Sequence, residues 1–156
     1  VNRRYLANFG YSCAFHTDTE VITYMFDLLV RRHALPFEAA CMAMAPPFRE
    51  QIRRMPQDKA RLATTIRAVY GGALLNGPFS VLVGHGGGMI GFNDRIKLRP
   101  LVAARKDDML LVASEEAAVR VVCPDPDTLW HARGGEPVIG TLRARPRARI
   151  EKRGVA

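Results

Sequence analysis

Phe15-His16-Thr17-Asp18-Thr19-Glu20-Val21-Ile22 is the stretch whose reading decides the fold. Before it, Cys13-Ala14-Phe15 is a short apolar run. After it, Val21, Ile22, Met25, Leu28 and Leu29 fall on one face at helical spacing. The pattern predicts a strand over Tyr11 to His16 that hands over to a helix over Asp18 to Arg32. Thr17 and Glu20 have the spacing of a capping box, in which hydroxyl and carboxylate each satisfy a backbone N–H at the helix start. Asp18 then stands in the first turn. Its carboxylate complements the helix dipole there, and at a strand–helix junction it can also accept hydrogen bonds from a substrate ammonium.

Working outward, residues 2 to 9 read as the end of a helix stopped by Gly10. Arg31, Arg32 and His33 suit the C-terminal end of the helix that follows Asp18. Pro36 opens a helix over Phe37 to Met44. Pro46-Pro47 interrupts it, and a polar helical piece runs from Phe48 to Met55. Pro56 starts a further helix whose core face is expected to use Leu62, Ile66 and Val69.

Beyond Gly71-Gly72 and Asn76-Gly77 the period shortens. Pro78 to Val83 and Met89 to Phe92 are expected strands around the turn Gly84-His85-Gly86-Gly87-Gly88. Leu101 to Ala104 and Met109 to Ala113 form a second hairpin. A short helix with Ser114 as N-cap follows. Leu129 to Ala132 and Pro137 to Leu142 are read as a last pair joined by Gly134-Gly135. Helices followed by antiparallel strands imply an α+β fold.

Composition narrows the function. The 156 residues suffice for one domain with a core. No apolar run approaches the roughly 18 residues of a membrane span, and Val1-Asn2-Arg3-Arg4-Tyr5-Leu6 has no signal-peptide apolar region. Cys13, Cys41 and Cys123 are odd in number, far apart and flanked by apolar residues, which points to buried reduced thiols and a cytoplasmic protein. The net charge is +8. Most of it comes from the stretch 143–156, where six Arg and Lys residues face only Glu151. That basic tail is read as a flexible, solvated end. A nucleic-acid site there is disfavoured, because no aromatic residues are interleaved with the charge.

Other candidate chemistry is weaker. His-Gly-Gly-Gly at His85 to Gly88 lacks the Gly-x-Ser-x-Gly partner of lipase-type hydrolases and the Gly-Lys-Ser/Thr ending of a phosphate loop, so it reads as a hairpin turn. His16, His33, His85 and His131 show no metal-ligand spacing. Asp94, Arg95 and Arg99 form either a structural ion-pair cluster or part of a site.

Thr17-Asp18-Thr19-Glu20-Val21-Ile22 before a long helix resembles the class II glutamine amidotransferases, which are N-terminal-nucleophile enzymes. Gly77-Pro78-Phe79-Ser80-Val81-Leu82-Val83 resembles that family's strand after its helical section. Asp94-Arg95-Ile96-Lys97-Leu98-Arg99-Pro100-Leu101 resembles its Asp-Pro-x-Gly-Ile-Arg-Pro-Leu loop, with Arg95 and Lys97 where the family often has Pro and Gly. Val112-Ala113-Ser114-Glu115 and Gly135-Glu136-Pro137-Val138 resemble its Ala-Ser-Glu and Pro-Gly-Glu elements. The likeness covers about residues 2 to 142 and is nearest the amidotransferase subunits of glutamate-synthase-like enzymes such as N-methylglutamate synthase.

The resemblance implies a four-layer α/β/β/α sandwich, with residues 1–142 as the C-terminal part of the domain and its N-terminal strands missing. It implies hydrolysis of glutamine to glutamate and ammonia for a synthase partner, with FMN and an iron–sulfur cluster on that partner and no cofactor on this chain. Asp18 inherits the role of binding the α-ammonium of glutamine. The family's N-terminal Cys nucleophile and Asn-Gly oxyanion pair are expected upstream of Val1, so this chain alone is expected to be an inactive fragment. The alternatives are a degenerate, amidotransferase-like structural or regulatory subunit, and an RNA-binding protein acting through the basic tail.

Overall fold

The computed structural model describes residues 2–15 and 17–142. The chain is α+β, with helices followed by two small antiparallel sheets. Helix α1 covers Asn2–Ala7, and Gly10 leaves it with φ +81°, a left-handed exit suited to glycine. Helix α2 covers Asp18–Phe26 and continues as a π-helical segment, Asp27–Arg32. Helices α3, α4 and α5 cover Phe37–Met44, Arg49–Arg53 and Gln57–Val69.

The expected helix over Asp18 to Arg32 is present, but its second half is wound differently. The N–H of His33 bonds the carbonyl of Leu28 at 3.0 Å, five residues back. Ala34, at φ +55°, ends the run. The apolar face is as read: Val21, Ile22, Met25, Leu28 and Leu29 are all buried.

No strand forms over residues 11–15, contrary to the reading of Tyr11 to His16. Side chains occupy the backbone groups that a ladder would use. The N–H groups of Ala14 and Phe15 donate to the carboxylate of Glu20 at 2.8 and 2.9 Å, and the carbonyl of Phe15 accepts from Arg3 at 3.0 Å. This also corrects the capping box. Thr17 Oγ1 accepts from the N–H of Glu20 at 3.3 Å, but Glu20 reaches past the cap to the preceding segment.

Helix α5 is turned away from expectation. Ile66 is buried with Ala63, whereas Leu62 and Val69 are exposed. The small Ala63 lets the helix lie close to its neighbours, so the core-facing stripe is narrower than hydropathy suggests.

In the first sheet the order is β1 (Ser80–His85), β2 (Gly88–Asn93) and β6 (Val138–Thr141). In the second it is β4 (Met109–Ala113), β3 (Val102–Lys106) and β5 (Thr128–His131). The hairpin turn is only Gly86-Gly87, since pairing runs from Ser80↔Asn93 out to His85↔Gly88. The last two strands do not pair with each other. Strand β5 joins β3, with Ala103 opposite Trp130, and β6 joins β2, with Ile90 opposite Ile139. Helix α6 (Glu116–Val122) follows β4, with Glu115 and not Ser114 at its N-cap and no side-chain cap.

Alternation along the strands assigns the faces. Ile90 and Phe92 of β2, with Val81, Val83 and Ile139, pack on the helical core of Leu6, Met25, Leu28, Leu29 and Met44. The opposite face meets the second sheet. A Cβ at Gly91 would lie 2.9 Å from Val112, and one at Gly140 would lie 2.7 Å from Leu110. Val138, Leu101, Ala103 and Ala132 are buried there, with the partly buried Trp130 packed against them. The outer face of the second sheet packs Val102, Ala104 and Leu111 on Val119 of α6.

Candidate functional site

Asp18 lies at the rim of a small cleft of about 100 Å³. Val21 and Ile22 of α2, with Leu75 and Phe79, supply apolar lining, and Asn2 and Asn76 supply amides. Asp18 is exposed, and its carboxylate makes no hydrogen bond within the described residues. Thr17 caps the helix beside it, so the carboxylate need not serve as the cap.

Each wall of the cleft is held by a polar device. Asn2 donates to the carbonyls of Leu74 and Gly72 at 2.9 and 3.3 Å, which ties α1 to the chain leaving α5. Gly77, at φ +115°, turns that chain into β1. Phe79 is pinned from behind by Asp94. Its N–H donates to Asp94 Oδ2 at 3.3 Å, and the N–H of Asp94 returns to the Phe79 carbonyl at 2.9 Å.

Asp94 is 1% exposed. It also accepts the N–H groups of Ile96, Leu98 and Arg99 at 3.1, 3.1 and 3.0 Å. Burial pushes its carboxyl up, but the N–H groups of Arg99, Leu98, Phe79 and Ile96 together hold it below the usual carboxylate range. Of the two readings of Asp94, Arg95 and Arg99, neither an ion pair nor a site-lining role describes Asp94. It is the buried anchor of the 94–100 loop, bonded to backbone rather than to arginine. Arg95 instead stacks over Phe48, with its guanidinium carbon 4.7 Å from the ring centroid. Buried Asn93 extends the anchor, donating to the Arg99 carbonyl at 3.2 Å and accepting from the N–H of Gly135 at 3.3 Å.

A second carboxylate fixes the segment that leads to Asp18. Asp27 takes Arg31 on both oxygens, at 2.5 and 2.8 Å, and the hydroxyl of Tyr11 at 2.5 Å. The Arg31 guanidinium, then the Tyr11 hydroxyl, lower its pKa to about 2. Sequence reading missed Asp27, because a charge in mid-helix gives no sign of a partner sixteen residues earlier. It also missed Asn2 and Asn76 as cleft residues. Only the Asn76-Gly77 turn signal was available for them.

The other candidates separate from this cleft. Cys41 is buried on α3, and burial pushes its thiol well above the usual range. Cys123 is also buried, while Cys13 is only partly so, and all three are free thiols. His85 caps its own hairpin, accepting from the N–H of Gly87 at 3.1 Å, and packs on Phe37 with ring centroids 4.8 Å apart. His16 and the basic stretch 143–156 lie outside the described residues. Among the described residues no cluster of three His, Cys, Asp or Glu side chains is placed to hold a metal ion. No described helix is long and apolar enough to cross a membrane.

No family model matches the chain, and no solved structure matches it. It is similar to an uncharacterized protein of Archaeoglobus fulgidus, with 47% identity over 144 residues that make up 92% of this chain. The matched region spans 38% of that relative's length.

Proposed function

We propose that this chain is part of a class II glutamine amidotransferase domain, in which Asp18 binds the α-ammonium of glutamine. The parent protein hydrolyses glutamine to glutamate and ammonia and passes the ammonia to a glutamate-synthase-like partner. FMN and an iron–sulfur cluster belong to that partner in this reading. The nucleophile is a cysteine from another part of the parent protein. Neither Cys41 nor Cys123 can reach a substrate from inside the core.

The observation that carries the reading is the carboxylate of Asp18. It stands beside a capped helix start, has no partner within the described residues and faces a cleft edged by amides. An ammonium needs such an acceptor, and Ile22 and Phe79 offer apolar contact beside it. Two further features support it. The packing sequence of helices, first sheet, second sheet and α6 accords with a four-layer α/β/β/α sandwich. Lys97 adopts φ +56° at the position where the resembling loop has glycine, so the backbone makes the turn that glycine would favour.

The test is the glutaminase activity of the parent protein. Asp18→Asn should raise the KM for glutamine about tenfold, the cost of one charge-assisted hydrogen bond at an exposed site. An unchanged KM in an active enzyme would sink the assignment. The alternative is a degenerate, amidotransferase-like domain with a structural or regulatory role. That reading predicts no glutaminase activity in the parent protein.

A further inference from the structure

Helices α4 and α5 pack side by side and leave a groove of about 530 Å³ between them, with Arg49, Arg53 and Arg67 on its walls. Thr64 belongs both to this groove and to a second of about 320 Å³, which adds Arg61 and Thr65. The two form one strip along a single side of α5, from Gln57 to Ala68. At 1.5 Å per residue the strip is about 17 Å long. No carboxylate lines either part.

The arginines are differently committed. Arg53 pairs loosely with Glu50 at 3.4 Å, and Arg67 donates one N–H to the carbonyl of Pro47 at 2.8 Å. Arg49 and Arg61 have no partner among the described residues. Thr64 spends its hydroxyl proton on the Ala60 carbonyl, 2.7 Å away, so the donors of the strip are its arginines. Four guanidinium groups held on a helical pair, with their planar donor forks only partly used, match carboxylates in bidentate geometry.

We infer that this strip is a docking surface for an extended acidic segment of a partner protein. Its length takes about five residues of extended chain. A strip of that length extends well beyond a single small phosphate compound. No aromatic residue lines it to stack a nucleobase, which disfavours single-stranded nucleic acid. The inference stands apart from the amidotransferase reading, because the strip shares no lining residue with the cleft of Asp18.

The test uses the full 156-residue chain and a fluorescein-labelled oligoglutamate peptide of about ten residues, read by anisotropy at low salt. The triple variant Arg49→Gln, Arg53→Gln, Arg61→Gln should weaken binding about tenfold or more, and Arg143→Gln, Arg145→Gln, Arg147→Gln should leave it within about twofold. The single variant Arg61→Glu, on an exposed side chain, should weaken binding severalfold and guards against misfolding of the triple variant. Equal losses in the two triple variants would mean diffuse charge attraction and overturn the proposal. So would absence of binding, or stronger binding of a single-stranded RNA oligonucleotide that the first triple variant abolishes.

Discussion

Asp94 and Phe79 hydrogen-bond in both directions: the Phe79 N–H donates to the Asp94 carboxylate, and the Asp94 N–H donates to the Phe79 carbonyl. One buried side chain thereby sets the wall of the Asp18 cleft and the course of the 94–100 loop. Its four N–H contacts replace the water that the carboxylate gave up on burial.

Asp94→Ala should therefore be among the most damaging polar changes in the chain. It orphans four backbone N–H groups, and a loss of about 3 kcal/mol is expected. Asp94→Asn keeps the shape and one acceptor oxygen and should lose about half as much. Urea unfolding midpoints measure both, and a loss below about 1 kcal/mol for the alanine variant would deny the anchoring role.

The same contacts predict acid sensitivity. The folded pKa of Asp94 lies below its ordinary value, so the unfolded chain binds the proton first as pH falls. The stability contributed by Asp94 is full above about pH 5 and is lost as pH drops through about 4 and then through the folded value. Asp27 acts in the same direction, with loss continuing down to about 2. Unfolding midpoints measured between about pH 6 and pH 2 should fall steeply for the native chain and less steeply for Asp94→Asn.

Lys97 offers a test by gain. A side chain at φ +56° carries a cost that glycine does not. Lys97→Gly should be neutral or stabilising by up to about 1 kcal/mol, after the greater freedom of glycine in the unfolded chain is counted. Lys97→Val should cost about 1–2 kcal/mol, because a β-branched residue fits this region worst. Thermal midpoints would separate the two, and equal effects would argue against a strained turn.

The segment before Asp18 depends on Glu20 and Tyr11. Tyr11→Phe removes the hydroxyl given to Asp27 and should cost about 1 kcal/mol. Glu20→Ala frees the N–H groups of Ala14 and Phe15, and its main effect should be faster hydrogen exchange across residues 13 to 15 with a smaller change in global stability. Unchanged exchange there would show that the segment is held by other contacts.

Much of this architecture is legible in local sequence. The apolar face from Val21 to Leu29, the start after Pro36, both hairpins and the α+β order follow from periodicity and from Pro and Gly placement. Asp18 could be singled out because a helix start announces itself within a few residues. The partners of Glu20, Asp27 and Asp94 could not, since a carboxylate looks the same in sequence whether it caps, pairs or binds backbone. The pairing of β6 with β2 was equally hidden. A period-2 pattern tells which face of a strand is buried but not which strand lies beside it.

By itself, then, the sequence determined most of the helices and strands, their order and the carboxylate at the head of α2. The tertiary structure decided which strands share a sheet, that the 11–15 segment stays out of both sheets, and that Asp94 is an internal anchor. The division has a physical cause. Helix starts, turns and amphipathic faces are settled by interactions within a few residues. Sheet order and the satisfaction of buried charge depend on groups brought together only when the layers pack.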